Sequence, residues 1–238
     1  MSLVWVLVIF MALLIVRMPL AFSLGIAGSS YFLFSDFLPF EVAVQRMVSA
    51  SQSFPLLAVP FFILAGQLMN TSGITASLVH LSRLLVSWIS GGLAHVTVLL
   101  SVTMGGVAGS AVADASMQAR VLGPAMIQSG LPKGFSAASL AISSLITATI
   151  PPSIGLILYG FMGNVSIGQL FLAGVIPGLL MAVALMLAIY WVAKWRNFEL
   201  DAAPKPSAKA VASALWQAKW ALLFPVPVSY THLRAHET

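Results

Sequence analysis

Cysteine is absent from this sequence of 238 residues, and charged side chains are scarce. The absence of cysteine excludes disulfide bonds, thiolate catalysis and cysteine-ligated metals. Charged residues make up 7% of the chain, whereas a soluble domain typically carries about 25%. Hydrophobic residues account for 60% and the mean hydropathy is +1.01, more than a water-soluble core requires. The composition therefore predicts an all-α integral membrane protein, a multi-span helical bundle in the lipid bilayer.

Acidic residues are fewer than basic ones, with 6 Asp and Glu against 11 Lys and Arg. The basic residues lie at the ends of apolar runs, where they determine membrane topology, so they do not indicate nucleic-acid binding. The most basic connection follows the apolar run 166–195, and we expect it to lie in the cytoplasm. It is defined by Lys194, Arg196, Lys205, Lys209 and Lys219.

Signatures of common enzymes are also absent. The sequence contains no H-E-x-x-H, no G-x-S-x-G and no P-loop, and its four histidines show no metal-ligand spacing. An intramembrane aspartyl pair would need two acids, but Asp114 is the single acid between residues 93 and 193. The sequence therefore predicts a protein that is not an enzyme, has no cofactor and does not itself use ATP.

Four further segments are predicted to be helical from their length and hydropathy. Residues 3–34 form an apolar run too long for one straight span, so we expect a tilt, a kink at Pro19 or a split into two helices. Residues 54–69 and 166–195 are each expected to span. The polar and apolar positions of residues 74–90 alternate with helical spacing, which predicts an amphipathic helix at the interface or against the core.

The first interruption of the apolar sequence lies at residues 105–114. The preceding run, 93–104, would be about 18 Å long as a helix, too short to span. A glycine-rich break and a second arm at 111–128 therefore predict a re-entrant hairpin, with Asp114 beside its tip. Two ordinary helices packed through small residues remain the alternative. Asp114 is either a functional carboxylate or only a favourable charge in the first turn of the second arm.

The second interruption is Pro151-Pro152, near the middle of an apolar element that is long enough to span. Because proline has no N–H, the carbonyls four residues earlier lose their helical donors. Ser153 can then begin a second half-helix. We expect a broken helix that exposes carbonyl oxygens at the break. A bent helix with a purely structural role is the alternative.

The two interruptions together supply the oxygen ligands that sodium prefers, and half-helix N-termini at Ser110 and Ser153 that favour an anionic substrate. Ser110 and Thr147 are the candidates for a direct bond to sodium, which would be a coupling ion. The candidate ion- and substrate-binding residues are Gly109, Ser110, Asp114, Ser143, Ser144, Thr147, Thr149, Pro151, Pro152 and Ser153.

The chain is expected to comprise four parts. Residues 1–92 form scaffold spans and the amphipathic helix, and residues 93–165 form a core with the hairpin and the broken helix. Residues 166–227 contain a further span and the basic linker. Residues 228–238 are polar and resemble a translated sequencing adapter, so we expect them to be non-native and the natural sequence to be interrupted at about Pro227. A genuine polar C-terminus is the alternative.

Five segments resemble the large membrane subunit of TRAP transporters, which are tripartite ATP-independent periplasmic carriers of the dicarboxylate type. The similarity runs in order from about residue 17 to residue 227. The segments are SFPLLAVPFFILAGQLMN at 53–70, GGLAHV at 91–96, GSAVAD at 109–114, IPPS at 150–153 and LFLAGVIPG at 170–178.

The resemblance implies a multi-pass secondary transporter of the bacterial inner membrane, driven by sodium and moving as an elevator. It implies organic acid substrates, including C4-dicarboxylates and sialic acid. It also implies two partners, a periplasmic substrate-binding protein and a small four-helix membrane subunit. Carried over, Gly109, Ser110 and Asp114 lie at the first hairpin tip, and residues 147–153 form the first broken helix.

One departure from the family is that no second, inverted copy of either interruption is found. The resemblance therefore implies the first half of an inverted-repeat transporter, with the start of the missing second half within residues 166–227. Another sodium- or proton-coupled carrier with inverted repeats, or a membrane scaffold that does not transport, are the alternative functions.

Overall fold

The computed structural model describes residues 3–34, 39–196, 198 and 205–223, and the secondary structure of this part of the chain consists of helices joined by turns, without strands. The all-α class predicted from composition is confirmed. The polar tail at 228–238 and most of the basic linker lie outside the described residues. The helices are α1 Leu3–Ile15, α2 Leu20–Leu33, α3 Phe40–Ser51, α4 Phe54–Thr71, α5 Ile74–Val86, α6 Gly92–Ala108, α7 Ala111–Val121, α8 Gly123–Gln128, α9 Lys133–Thr149, α10 Ile154–Gly163, α11 Ile167–Trp195 and α12 Ala208–Leu223.

The chain divides into two compact units, Met1–Leu57 and Ala58–Thr238. In the first unit, the long apolar run is split into α1 and α2. A split into two helices is one of the three outcomes that the sequence predicted for this run. Pro19 precedes the first residue of α2 and has an extended backbone, with ψ of 138°. A residue before proline is pushed away from the helical region, so the chain cannot continue straight from α1 into α2.

The second unit is built around α9, which packs against α6, α7 and α11. Val96, Val98 and Leu100 of α6 are completely buried, and the helix is enclosed by α5, α9 and α11. A helix that is mostly apolar and has no charged side chain is stable in such surroundings. The central position of α6 and α9 keeps their polar side chains away from the protein surface.

Helix α5 confirms the predicted amphipathic element and ends at Val86, four residues earlier than expected. Leu78, Val79 and Leu81 are buried, whereas His80 is exposed. The buried side packs against α6 and α12. The helix therefore braces the core of this unit along one side.

Among the described residues, α11 is the helix that is long and apolar enough to cross a membrane by itself. It continues through Pro177 over 29 residues. Helices α9 and α10 would make a second span if they are counted as one element, and they meet at a bend of 48°. A helical membrane protein is thus supported, and the predicted interruption at Pro151-Pro152 is present.

Candidate functional site

The first interruption lies four residues later than the sequence predicted. We expected the first arm to end at Met104 and the break to begin at Gly105, and this was wrong because α6 continues to Ala108. A helical glycine costs about 1 kcal/mol relative to alanine, and close packing can offset that cost. Gly105 lies so near Ile150 that a Cβ atom on the glycine would be 2.8 Å from the Ile150 Cβ.

The turn itself is formed by Gly109 and Ser110. Gly109 has a φ of +56°, a left-handed conformation that suits a residue without a Cβ atom. Ser110 then caps α7, because its hydroxyl accepts a hydrogen bond from the Ala113 N–H at 3.4 Å. The local sequence Gly-Ser therefore ends one helix and begins the next.

The second interruption is organised by Ser153. Its hydroxyl donates to the Ala148 carbonyl at 2.6 Å and accepts from the Leu156 N–H at 3.4 Å. The first contact satisfies a carbonyl that loses its helical donor to proline, and the second caps α10. The Pro151-Pro152 peptide bond is cis. Ser153 thus joins the two half-helices, in agreement with the prediction that it begins the second.

The two interruptions contact each other through their backbones. The Ile154 N–H donates to the Gly109 carbonyl at 3.2 Å. A Cβ atom on Gly109 would lie 2.6 Å from the Pro152 carbonyl oxygen, so the approach requires glycine. We call Gly109 and residues 149–154 the break junction.

Two glycines of α11 enclose the other side of the break junction. A Cβ atom on Gly174 would lie 2.5 Å from the Thr149 carbonyl oxygen, and one on Gly178 would lie 2.5 Å from the Ile150 Cγ1. Small residues at helix contacts allow this close approach. The break therefore packs closely against α6 and α11 at positions where both helices have glycine.

Beside the break junction, Asp114 is the centre of a buried polar group. Its Oδ2 atom accepts hydrogen bonds from the Ser101 hydroxyl at 2.8 Å, the Gln118 Nε2 at 2.8 Å and the Thr147 hydroxyl at 2.6 Å. All four side chains are buried, with exposed fractions of 0 or 1%. We call these residues the Asp114 cluster; it links α6, α7 and α9.

The Asp114 cluster contains one acidic group and three uncharged partners. Arg120 is exposed on α7, as its angular separation from Asp114 predicted. The Oδ1 atom of Asp114 and the Oε1 atom of Gln118 are buried and have no hydrogen-bond partner among the described residues. Buried acceptors without donors are costly, and such oxygens suit a hard cation or a water molecule. Among the described residues, the hydrogen-bond partners of the Asp114 carboxylate are side chains and not the amides of its own first turn.

The remaining hydroxyls predicted for the site bond to the backbone of their own helix. Those of Ser143, Ser144 and Thr149 donate to the carbonyls of the residues three or four positions earlier. The structure thus brings Asp114 together with Thr147, and Gly109 together with Pro152 and Ser153. Pro151 lies buried within the break junction.

Sequence reasoning missed Ser101 and Gln118. Gln118 lies four residues after Asp114 on one helix, and that spacing places the two side chains next to each other. The sequence contains no comparable signal for Ser101, because its contact depends on how α6 packs against α7 and α9. The pair Asp114 and Gln118 was therefore detectable, whereas the full cluster was not.

Together, these features define a helical membrane protein in which two interrupted helices meet beside a buried carboxylate. The family described as "Tripartite ATP-independent periplasmic transporter, DctM component" matches residues 7–235. The chain belongs to this family, as its motifs indicated. The family is one of transporter permeases, so the prediction that the chain is not an enzyme is confirmed.

Three curated relatives show how far the similarity extends. The sialic acid TRAP transporter large permease SiaM of Vibrio cholerae is 38% identical over 91% of this chain and 50% of its own length. The isethionate TRAP transporter permease DctMQ of Oleidesulfovibrio alaskensis is 35% identical over 92% of this chain and 34% of its own. The 2,3-diketo-L-gulonate TRAP transporter large permease YiaN of Escherichia coli is 36% identical over 89% and 49%. The chain thus spans between a third and a half of these relatives.

Proposed function

We propose that this chain forms part of a sodium-driven TRAP permease that imports organic acids, and that the break junction and the Asp114 cluster form half of its transport site. The observation that carries the proposal is the hydrogen bond between the Ile154 N–H and the Gly109 carbonyl. It joins two helix interruptions inside an apolar fold. Such interruptions are costly in a membrane unless they line a site.

Sodium is proposed to bind at the Asp114 cluster. The free Oδ1 of Asp114 and Oε1 of Gln118 are hard oxygen ligands, and the Thr147 hydroxyl lies 2.6 Å from the same carboxylate. Ser110, one turn before Asp114, contributes through its backbone or its capping hydroxyl. Among the described residues there is no group of three His, Asp or Glu side chains that could hold a metal, so the proposed ligands are hydroxyl, amide and single carboxylate oxygens.

The substrate is proposed to be an organic anion. The relatives are named for sialic acid, isethionate and 2,3-diketo-L-gulonate, each of which carries an acidic group. In this chain, α7 and α10 both begin at the interruptions, and helix N-termini favour negative charge. Ser110 and Ser153 cap these helices and are proposed to orient the anion. C4-dicarboxylates and other carboxylates are included in this class.

The partner proteins and the membrane location are proposed from membership of the family. A periplasmic substrate-binding protein would deliver the anion, and a small four-helix membrane subunit would pack on the permease. The chain would lie in the bacterial inner membrane with several spans, and α6 and α7 would form a re-entrant hairpin within one half of an inverted repeat. Transport would occur by an elevator motion of the part that contains the break junction.

The test is sodium-dependent uptake by the full-length permease, reconstituted in proteoliposomes with both partner proteins. Sialic acid, isethionate, 2,3-diketogulonate and succinate would be supplied with an inward sodium gradient. We expect uptake of at least one of them, and a loss of about 100-fold or more in Asp114→Asn, because removing a buried charged partner costs several kcal/mol.

The matched control is Glu41→Gln, which makes the same change of charge at an exposed position. It is expected to transport like the unmodified protein. Equal uptake with sodium or choline would identify a proton-coupled carrier instead. Absence of uptake for all four anions would favour the scaffold alternative, and normal uptake by Asp114→Asn would exclude the proposed ion site.

A further inference from the structure

A groove between α5 and α7 has no role in the proposed transport site. It encloses a volume of about 550 Å³ and lies within the larger compact unit. Val121 is eleven residues after Ser110, which is about 16 Å along a helix, so the groove lies towards the end of α7 that is remote from the break junction. It is lined by Thr75, Val79, His80 and Arg83 of α5 and by Met117 and Val121 of α7.

The groove has an apolar wall and one cationic side chain beside it. Val79, Met117 and Val121 supply aliphatic and thioether surface. Arg83 also lines the groove, and no acidic residue is among the lining residues. The groove therefore carries positive charge and favours an occupant that carries negative charge.

We propose that this groove binds a membrane phospholipid, with Arg83 on the phosphodiester and one acyl chain along Val79, Met117 and Val121. The planar guanidinium matches the geometry of phosphate oxygens. His80 is exposed three residues before Arg83 and so lies near the same face of α5, beside the headgroup. The apolar wall distinguishes a lipid from a soluble anion, which would leave that wall in contact with water.

Because the groove is formed by both α5 and α7, a bound lipid contacts the amphipathic helix and the helix that carries Asp114. Lipid binding would therefore stabilise the packing of these two helices against each other. This consequence is independent of whether the protein transports an organic acid. It can be measured from unfolding alone.

The experiment measures the unfolding temperature of the full-length protein purified in a neutral detergent. Dioleoyl phosphatidylglycerol is added and compared with dioleoylglycerol, which has the same chains without phosphate, and with glycerol 3-phosphate, which has no chains. A ligand that binds only the folded state raises the unfolding temperature in a concentration-dependent way. We expect a rise of several degrees with phosphatidylglycerol and little change with the other two.

Variants then locate the site. Arg83→Gln is expected to lose more than half of the lipid-dependent rise, whereas Arg120→Gln, at an exposed position of α7 outside the groove, is expected to keep it. Val121→Glu retains Arg83 but places a carboxylate on the apolar wall, and should also lose the rise. Each rise is measured relative to the same variant without lipid, so a change in basal stability does not affect the comparison.

Three results would overturn the proposal. An equal rise with dioleoylglycerol would mean that only apolar surface is being covered. An equal rise with glycerol 3-phosphate would assign the groove to a soluble anion. A full rise in both Arg83→Gln and Val121→Glu would place the lipid elsewhere on the protein.

Discussion

Thr147 and Thr149 lie two residues apart on α9 and have different environments. The Thr147 hydroxyl reaches the Asp114 carboxylate and is fully buried, whereas the Thr149 hydroxyl bonds to the Leu145 carbonyl of its own helix. Thr147→Val keeps the shape and removes one of the hydrogen bonds to a buried carboxylate. We expect it to destabilise the protein by about 1–3 kcal/mol, and Thr149→Val by about 0.5 kcal/mol or less.

Denaturant unfolding in detergent measures both variants. The comparison is informative because the chemical change is the same at the two positions. If Thr149→Val were as destabilising as Thr147→Val, the contact to Asp114 would not be the source of the effect.

Gly109 offers a second test at a single residue. Gly109→Ala adds a Cβ atom 2.6 Å from the Pro152 carbonyl oxygen and holds a side chain at a φ of +56°. A left-handed alanine costs about 1–2 kcal/mol before any clash is counted. We expect a lower unfolding temperature and loss of uptake in proteoliposomes.

Gly134→Ala is the matched control, since no atom lies within 4 Å of a Cβ built on this helical glycine. It should retain uptake and be as stable as the unmodified protein or slightly more stable. Normal uptake by Gly109→Ala would mean that the two interruptions can separate without loss of function.

Residue-level prediction from the sequence was most successful where a residue type is rare. Asp114 stood out because it is the single acid between residues 93 and 193, and Thr147 because it precedes the two prolines. Ser101 was missed because serine is common in this sequence and its role arises from packing between helices. Whether these residues bind an ion stays a prediction.

At the level of elements, the proline pair at 151–152 marked an interruption, whereas the single Pro177 lies inside the continuous helix α11 and the glycines at 105–106 lie inside α6. The broken helix at Pro151-Pro152 was predicted correctly because two successive residues there lack an N–H and both restrict the residue before them. The end of α6 was predicted four residues too early because the cost of a helical glycine is small enough for contacts with Ile150 to offset it. The C-terminal end of α6 therefore depends on tertiary packing, which the local sequence does not reveal.

The break between α9 and α10 can be tested by replacing Pro151 and Pro152 together with alanine. The alanines restore two backbone donors, so we expect one continuous helix in which the Ile154 N–H bonds within the helix instead of to Gly109. Helical content by circular dichroism should rise slightly, and uptake should be lost.

Pro177→Ala is the control, because Pro177 lies in α11, which is already continuous. It should retain uptake. A double alanine variant that transports normally would show that the interruption is dispensable.

For the whole molecule, the sequence predicted the helical class and the family, and the number of spans stays a prediction. In the described part, α11 alone is long and apolar enough to cross by itself. The other predicted spans appear as shorter or bent helices, such as α1 and α2. Hydropathy detects apolar runs, but their division into helices depends on residues such as Pro19 and on neighbouring elements.

Membrane orientation can be tested with single cysteines, since this sequence contains no cysteine. The basic connection after α11 is expected in the cytoplasm, so Ser207→Cys should react with a membrane-impermeant maleimide only after right-side-out vesicles are permeabilised. Val165→Cys, just before the other end of α11, should react without permeabilisation. Labelling of both cysteines from the same side would show that α11 does not cross the membrane.

The break junction also bears on how such a permease can diversify. The contacts that join its two interruptions use backbone atoms of Gly109, Pro152 and Ile154, so these contacts depend little on the chemistry of the neighbouring side chains. Neighbouring side chains can then be exchanged while the contact between the two interruptions stays intact, provided that Gly109 is retained.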